Sequence, residues 1–201
     1  MSSSTSTRYT CEIIFHRATN VPLADLNDLS CDPYISTTLS GNPGPSTAAP
    51  QSAEREQESL TFRTATTRKT LNPTFDARWI VSGIPASGFS LIIELLDEDP
   101  GNHDDRLGKA VLRFPDPNLD PAYGSELRDG WHTGEREYKI HKRHGSLRTR
   151  LGTYIAKVVT RGRIGHRVRV IVSVRVLGEA PHFDGDEGQR IYTLGPRESS
   201  F

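Results

Sequence analysis

The amino-acid sequence predicts an all-β sandwich of eight short strands. Three observations carry that reading. Apolar residues alternate with polar ones in segments of strand length, as they do along a half-buried strand. Glycine- and proline-rich connections separate those segments at short intervals. Near the C-terminus Val168, Val170, Val172, Val174 and Val176 fall on one face, with Arg167, Arg169 and Arg175 on the other.

The elements follow in order. Residues 1–7 are serine and threonine after Met1, and are expected to be disordered. Tyr9, Cys11, Ile13 and Phe15 alternate in a first strand, which Asn20-Val21-Pro22 and the polar run Asp25 to Asp28 break into a loop. Pro33 to Leu39 reads as the second strand. From Ser40 to Ser59 there are three prolines, two glycines, four serines and no large apolar residue. Nothing there offsets the entropy of ordering, so 40–59 is expected to be a flexible insertion. Strands are then expected at Leu60–Leu71, Thr74–Val81, Ser90–Leu96, Leu107–Phe114 and Trp131–His141, with the valine run as the last.

One segment has another period. Leu147, Leu151, Tyr154, Ile155 and Val158 recur at helical spacing, which predicts a short amphipathic helix near 146–160. It lies in a basic insertion, 143–166, between the last two strands. Residues 179–201 read as a loose tail, so that a single domain spans 8–178.

Composition narrows the function. The chain has 201 residues, of which 34% are hydrophobic, enough for one core with a large share of polar loop. No run approaches the ~20 apolar residues of a membrane-spanning helix, and the N-terminus lacks the basic start and apolar run of a secretory signal. Cys11 and Cys31 have no paired spacing, which argues against a disulfide framework or a zinc module. A reducing cytoplasmic setting is expected. There is no Gly-x-Ser-x-Gly elbow, P-loop or His-Glu-x-x-His, so no catalysis is expected. His141 and His144 sit among Lys142 and Arg143, a setting that disfavours a bound cation.

The 25 basic and 25 acidic residues balance overall but not locally. Arg136 to Arg175 holds twelve Lys or Arg against one acid, and Glu94 to Asp129 holds ten acids against four bases. Acidic clustering falls in two loops. One carries Asp25, Asp28 and Asp32. The other runs Asp97-Glu98-Asp99-Pro100-Gly101-Asn102-His103-Asp104-Asp105 out of the apolar strand Leu91–Leu96. Close carboxylates repel unless a cation or a proton relieves them, and hard oxygen ligands on irregular loops suit calcium.

In these residues the chain resembles the C2 domain family, named for the second conserved region of protein kinase C. The likeness rests on Asn20-Val21-Pro22 to Asp25, Ser30-Cys31-Asp32-Pro33-Tyr34, Lys69-Thr70-Leu71-Asn72-Pro73-Thr74-Phe75, and Asp97-Glu98-Asp99 to Asp105-Arg106-Leu107-Gly108. It implies an eight-stranded antiparallel Greek-key sandwich whose loops at one end bind Ca2+ and then anionic phospholipid, phosphatidylserine or a phosphoinositide. Carried over by position, the calcium ligands are Asp25, Asp32, Asp97, Asp99 and Asp105, with backbone carbonyls near Ala24 and Glu98. The first loop departs from the common pattern by one extra residue, Cys31, and by Asp28 where glycine is usual. Lipid contacts are expected from Arg63, Arg68 and Lys69 on the middle strands and from Lys142, Arg143, Arg148 and Arg150 in the basic insertion. The resemblance implies a peripheral, calcium-dependent membrane-binding module. A calcium-independent scaffold domain with a protein partner on the basic insertion is the alternative, as is a regulatory part of a larger lipid-metabolising or trafficking protein.

Overall fold

A computed structural model describes residues 7–24, 30–42, 59–99, 101, 103–116, 124, 126–141, 167–181 and 190–194. Among them nine strands form two antiparallel sheets and there is no helix. The strands are β1 (Arg8–Thr19), β2 (Pro33–Gly41), β3 (Ser59–Arg63), β4 (Thr74–Pro85), β5 (Phe89–Asp97), β6 (Asp105–Phe114), β7 (Arg136–Lys139), β8 (Arg169–Glu179) and β9 (Tyr192–Leu194). One sheet has the order β7-β8-β1-β4-β9 and the other β3-β2-β5-β6.

Period-two alternation turns one face of each sheet inward. Cys11, Ile13 and Phe15 of β1, Leu91, Ile93 and Leu95 of β5, and the β8 valines are buried between the sheets. Two aromatic clusters fill the space. Phe62 lies parallel to Phe15 and Trp79, with ring centroids 5.8 and 5.2 Å away. Phe114 meets Phe89, Trp131 and Tyr138 at 5.3, 6.4 and 6.1 Å. Offset and edge-on contacts of this kind suit the ring quadrupole.

Several expectations need correction. The strand count among the described residues is nine, not eight, because Tyr192–Leu194 leaves the supposed tail and pairs with Ser82, Val81 and Ile80 of β4. Two features hold it there. Trp79 Nε1 donates to Thr193 Oγ1 at 3.2 Å, and Gly83, at φ +80°, lets the Arg190 carbonyl pass where a Cβ would collide with it. The expected loose insertion is zipped at both ends: Ser40 pairs with Ser59 and with Ser90, and Gly41 with Phe89. The third strand stops at Arg63, well short of Leu71. There Thr64 turns inward, its N–H on the Ile35 carbonyl and its Oγ1 accepting the Ile35 N–H, both at 3.0 Å. The expected helix at 146–160 and the rest of the basic insertion lie outside the described residues, as do residues 43–58.

The Gly83 crossing gives a local prediction. Alanine there adopts a left-handed backbone at a cost of about 1–2 kcal/mol and excludes the Arg190 carbonyl. Gly83→Ala should release Tyr192–Leu194, with amide exchange accelerating in that segment and β1–β8 staying protected.

Candidate functional site

Three strand ends meet at one end of the four-stranded sheet. Pro33, where β2 begins, pairs with Asp97, where β5 ends, and Asp97 pairs with Asp105, where β6 begins. Asp97 is only 1% exposed. Its Oδ1 accepts the Asp32 N–H at 2.6 Å, and the Asp32 carbonyl accepts the Glu98 N–H at 3.0 Å. Asp32, Asp97 and Asp105 are thus brought together by backbone register.

The arginines complete this end. Asp32 Oδ1 accepts the Lys69 N–H at 2.7 Å, and Oδ2 accepts from Arg68 Nη1 at 2.9 Å. Arg68 Nη2 continues to Glu98 Oε2 at 2.8 Å, and Arg63 Nη2 reaches Glu98 Oε1 at 2.6 Å. The Arg63 guanidinium also lies 3.9 Å from the centre of the Tyr34 ring, a distance suited to cation–π attraction. Tyr34 donates its hydroxyl to Asp104 Oδ2 at 2.6 Å, and Asp104 Oδ1 accepts the Asp99 N–H at 3.2 Å.

Charge and burial act on these groups in opposite directions. Burial pushes the Asp32 carboxyl up, but the Lys69 N–H and the Arg68 guanidinium outweigh it and hold the group below its ordinary value. The Tyr34 hydroxyl bond lowers Asp104 against a smaller opposing effect of burial. Arg68 is raised in return, chiefly by its bond to Asp32. Tyr34 is pushed up to about 12 by burial and by the bond to Asp104. Ionising it loses a donor and sets two negative charges together, so its contribution to stability holds below its unfolded pKa near 10 and fades as pH rises towards 12. In a spectrophotometric titration Tyr34 should ionise near pH 12, and Tyr34→Phe should take one tyrosine out of the late phase, which Tyr9, also raised by burial, shares.

The site residues expected from sequence fall as follows. Backbone register brings Asp32, Asp97 and Asp105 to one end of the sheet, and the Asp99 N–H bonds Asp104 beside them. Among the described residues no three Asp, Glu, His or Cys side chains come together as a metal-holding group. Asp25 lies outside the described residues, as do Lys142, Arg143, Arg148 and Arg150. Arg63, Arg68 and Lys69 occupy the acidic end itself, on Glu98 and Asp32. Sequence reasoning passed over the side chains of Tyr34, Glu98 and Asp104, although all three stand beside residues it selected.

The family profile of the C2 domain matches residues 9–133. The chain belongs to the C2 domain family. Solved structures agree in fold. The first C2 domain of a plant extended synaptotagmin 1 superposes with a TM-score of 0.53 at 14% identity, covering 88% of this chain and 97% of that one. Human GIVD cytosolic phospholipase A2 gives 0.55 at 19% identity, covering 90% of this chain and 17% of that one. The calcium-bound pair of C2 domains from extended synaptotagmin 2 gives 0.50 at 16% identity, with 86% and 46% covered. This C2 domain therefore spans nearly all of the plant domain and about a sixth of the phospholipase chain. No curated protein matches the sequence. C2 domains are non-catalytic modules that generally bind calcium or lipid, and some act without calcium. No helix among the described residues of this one is long and apolar enough to cross a membrane.

Proposed function

We propose that this C2 domain is a calcium-dependent module that attaches peripherally to anionic phospholipid membranes from the cytoplasmic side. The observation that supports the reading is the junction of β2, β5 and β6, where backbone register places Asp32, Asp97 and Asp105 at one end of the sheet, Asp97 almost fully buried. The donors are all carboxylate oxygens on strand ends and loops, a set that fits a hard divalent cation. Asp25, Asp32, Asp97, Asp99 and Asp105 would hold the ion. When bound, calcium neutralises these carboxylates and offers open coordination positions to lipid phosphate. Arg63, Arg68 and Lys69 add cationic charge at the same end. A similar fold is described as calcium bound in extended synaptotagmin 2, which supports the reading. Sedimentation with phosphatidylserine or phosphoinositide vesicles tests it: the protein should pellet in calcium and stay largely in solution in chelator.

One observation favours a second reading. Arg68 bridges Asp32 and Glu98, so a guanidinium already supplies the positive charge that the acids require. In that reading the domain binds without calcium, as an interaction module or as the regulatory part of a larger lipid-acting protein. The basic insertion separates the two. Near an anionic leaflet each cation contributes about 1 kcal/mol, and the attraction weakens as the screening length falls from ~10 Å at 0.1 M salt to ~3 Å at 1 M. Changing Lys142, Arg143, Arg148 and Arg150 to glutamine should abolish the salt-sensitive vesicle binding that persists in chelator. Unchanged binding in chelator would turn that segment over to a protein partner.

A further inference from the structure

A groove of about 670 Å³ crosses the outer face of the five-stranded sheet, on the other sheet from Asp32 and Asp97. Its floor follows β1, where Glu12, Ile14 and His16 alternate with core residues. Glu12 is 1% exposed. A carboxylate so deeply placed is costly unless paired, and it is paired twice. Arg78 from β4 and Arg175 from β8 approach it from either side, each through its guanidinium Nε, one on Oε1 and one on Oε2. Both arginine side chains stay more than half exposed, at 56% and 58%. Among the described residues no acceptor other than Glu12 takes either guanidinium.

Two positive charges therefore share one negative charge at the groove, and the shared carboxylate fixes the separation of the two planar forks. Guanidinium forks match phosphate oxygens in pairs, and a fork fixed before binding loses less freedom on binding. The far end of the groove has the opposite character. His16 Nε2 lies 2.8 Å from Ser173 Oγ, and its Nδ1 is 4.0 Å from Asp76 and 3.9 Å from Glu135. Those acids direct an anion to the arginine end and repel a long polyanion.

We propose that the Arg78–Glu12–Arg175 fork is a calcium-independent binding site for a single phosphoryl group, carried by a small phosphate ester or by a phosphodiester lipid headgroup.

The test is titration calorimetry in chelator, with ionic strength matched by chloride, using inorganic phosphate and O-phosphoethanolamine as probes. Wild type should bind both. Arg78→Lys with Arg175→Lys keeps both charges beside Glu12 but removes the planar forks, and should weaken binding about tenfold. Glu135 is 59% exposed, so Glu135→Gln spares the fold should the lysine pair not, and it should tighten phosphate binding by about threefold. Phosphatidylcholine vesicles assign the source. Pelleting that O-phosphoethanolamine competes away marks a lipid headgroup, and solution binding without pelleting marks a soluble ester. The proposal is overturned if wild type binds neither small phosphate, if the lysine pair binds as wild type does, or if Glu135→Gln leaves the affinity unchanged.

Discussion

Asparagine at both Asp97 and Asp99 should leave this C2 domain folded and remove its response to calcium. Asparagine keeps the shape of the side chain, and its oxygen still accepts the Asp32 N–H that Asp97 takes at 2.6 Å. What is lost is charge: two of the five carboxylates assigned to the ion. Cation affinity in oxygen-ligated sites follows the ligand charge, so a fall on the order of 100-fold is expected. If wild type binds calcium as proposed, the ion at about 100 times its dissociation constant should stabilise the native state by about 2.7 kcal/mol. For a domain of this size that is a rise in Tm of roughly 5–11 °C. Differential scanning calorimetry of the double variant should show no such rise, and its vesicle pelleting in calcium should drop to the chelator level. An unchanged rise would place the ion elsewhere.

The largest effect on stability is expected at Trp79. It is buried in β4 opposite Ile13 of β1, and its ring stacks on Phe62 of β3 at 5.2 Å. Phe62 stacks in turn on Phe15. The three rings join the two sheets, and Trp79 also donates to Thr193 of β9. Trp79→Ala should cost about 3–5 kcal/mol, a large part of the ~5–15 kcal/mol that folded domains possess. Phe62→Ala, on an edge strand and half-buried, should be the milder change. Urea melts followed by circular dichroism measure both, and a loss under about 1 kcal/mol at Trp79 would contradict this packing.

Sequence made the strands with clean alternation legible, because burial on one face alone imposes period two. The valines of β8 and the alternating Tyr9, Cys11, Ile13 and Phe15 of β1 are examples. The acidic loops were legible for a related reason: carboxylates crowd only where a chain leaves its ladder. Other features depend on partners far along the chain. Tyr192–Leu194 is a strand because Gly83 and Trp79, about a hundred residues earlier, make room for it and bind it. The glycine of Leu107-Gly108 marked a family motif in sequence, and the structure supplies its cause: any Cβ there would strike the Ile140 side chain. Arg63 and Arg68 read as a cationic patch on strands. Their placement on Glu98 and Asp32 follows from the register of Arg63 opposite Ser36 and from the turn after β3. Composition carries no trace of either.

The central pairing of β1 with β8 also sets a schedule for synthesis. Glu12 and Arg175 meet across that ladder although 163 residues separate them. At ~5–20 residues per second, a ribosome needs roughly 8–33 s after β1 to deliver its partner. During that interval β4 can pair with one edge of β1, while the other edge waits unpaired. Contacts so distant in sequence also slow folding once the chain is whole. The nascent chain thus spends most of its synthesis with one edge of β1 open, the stage at which a chaperone has a strand edge to hold and at which a stall short of Val168 leaves an aggregation-prone product.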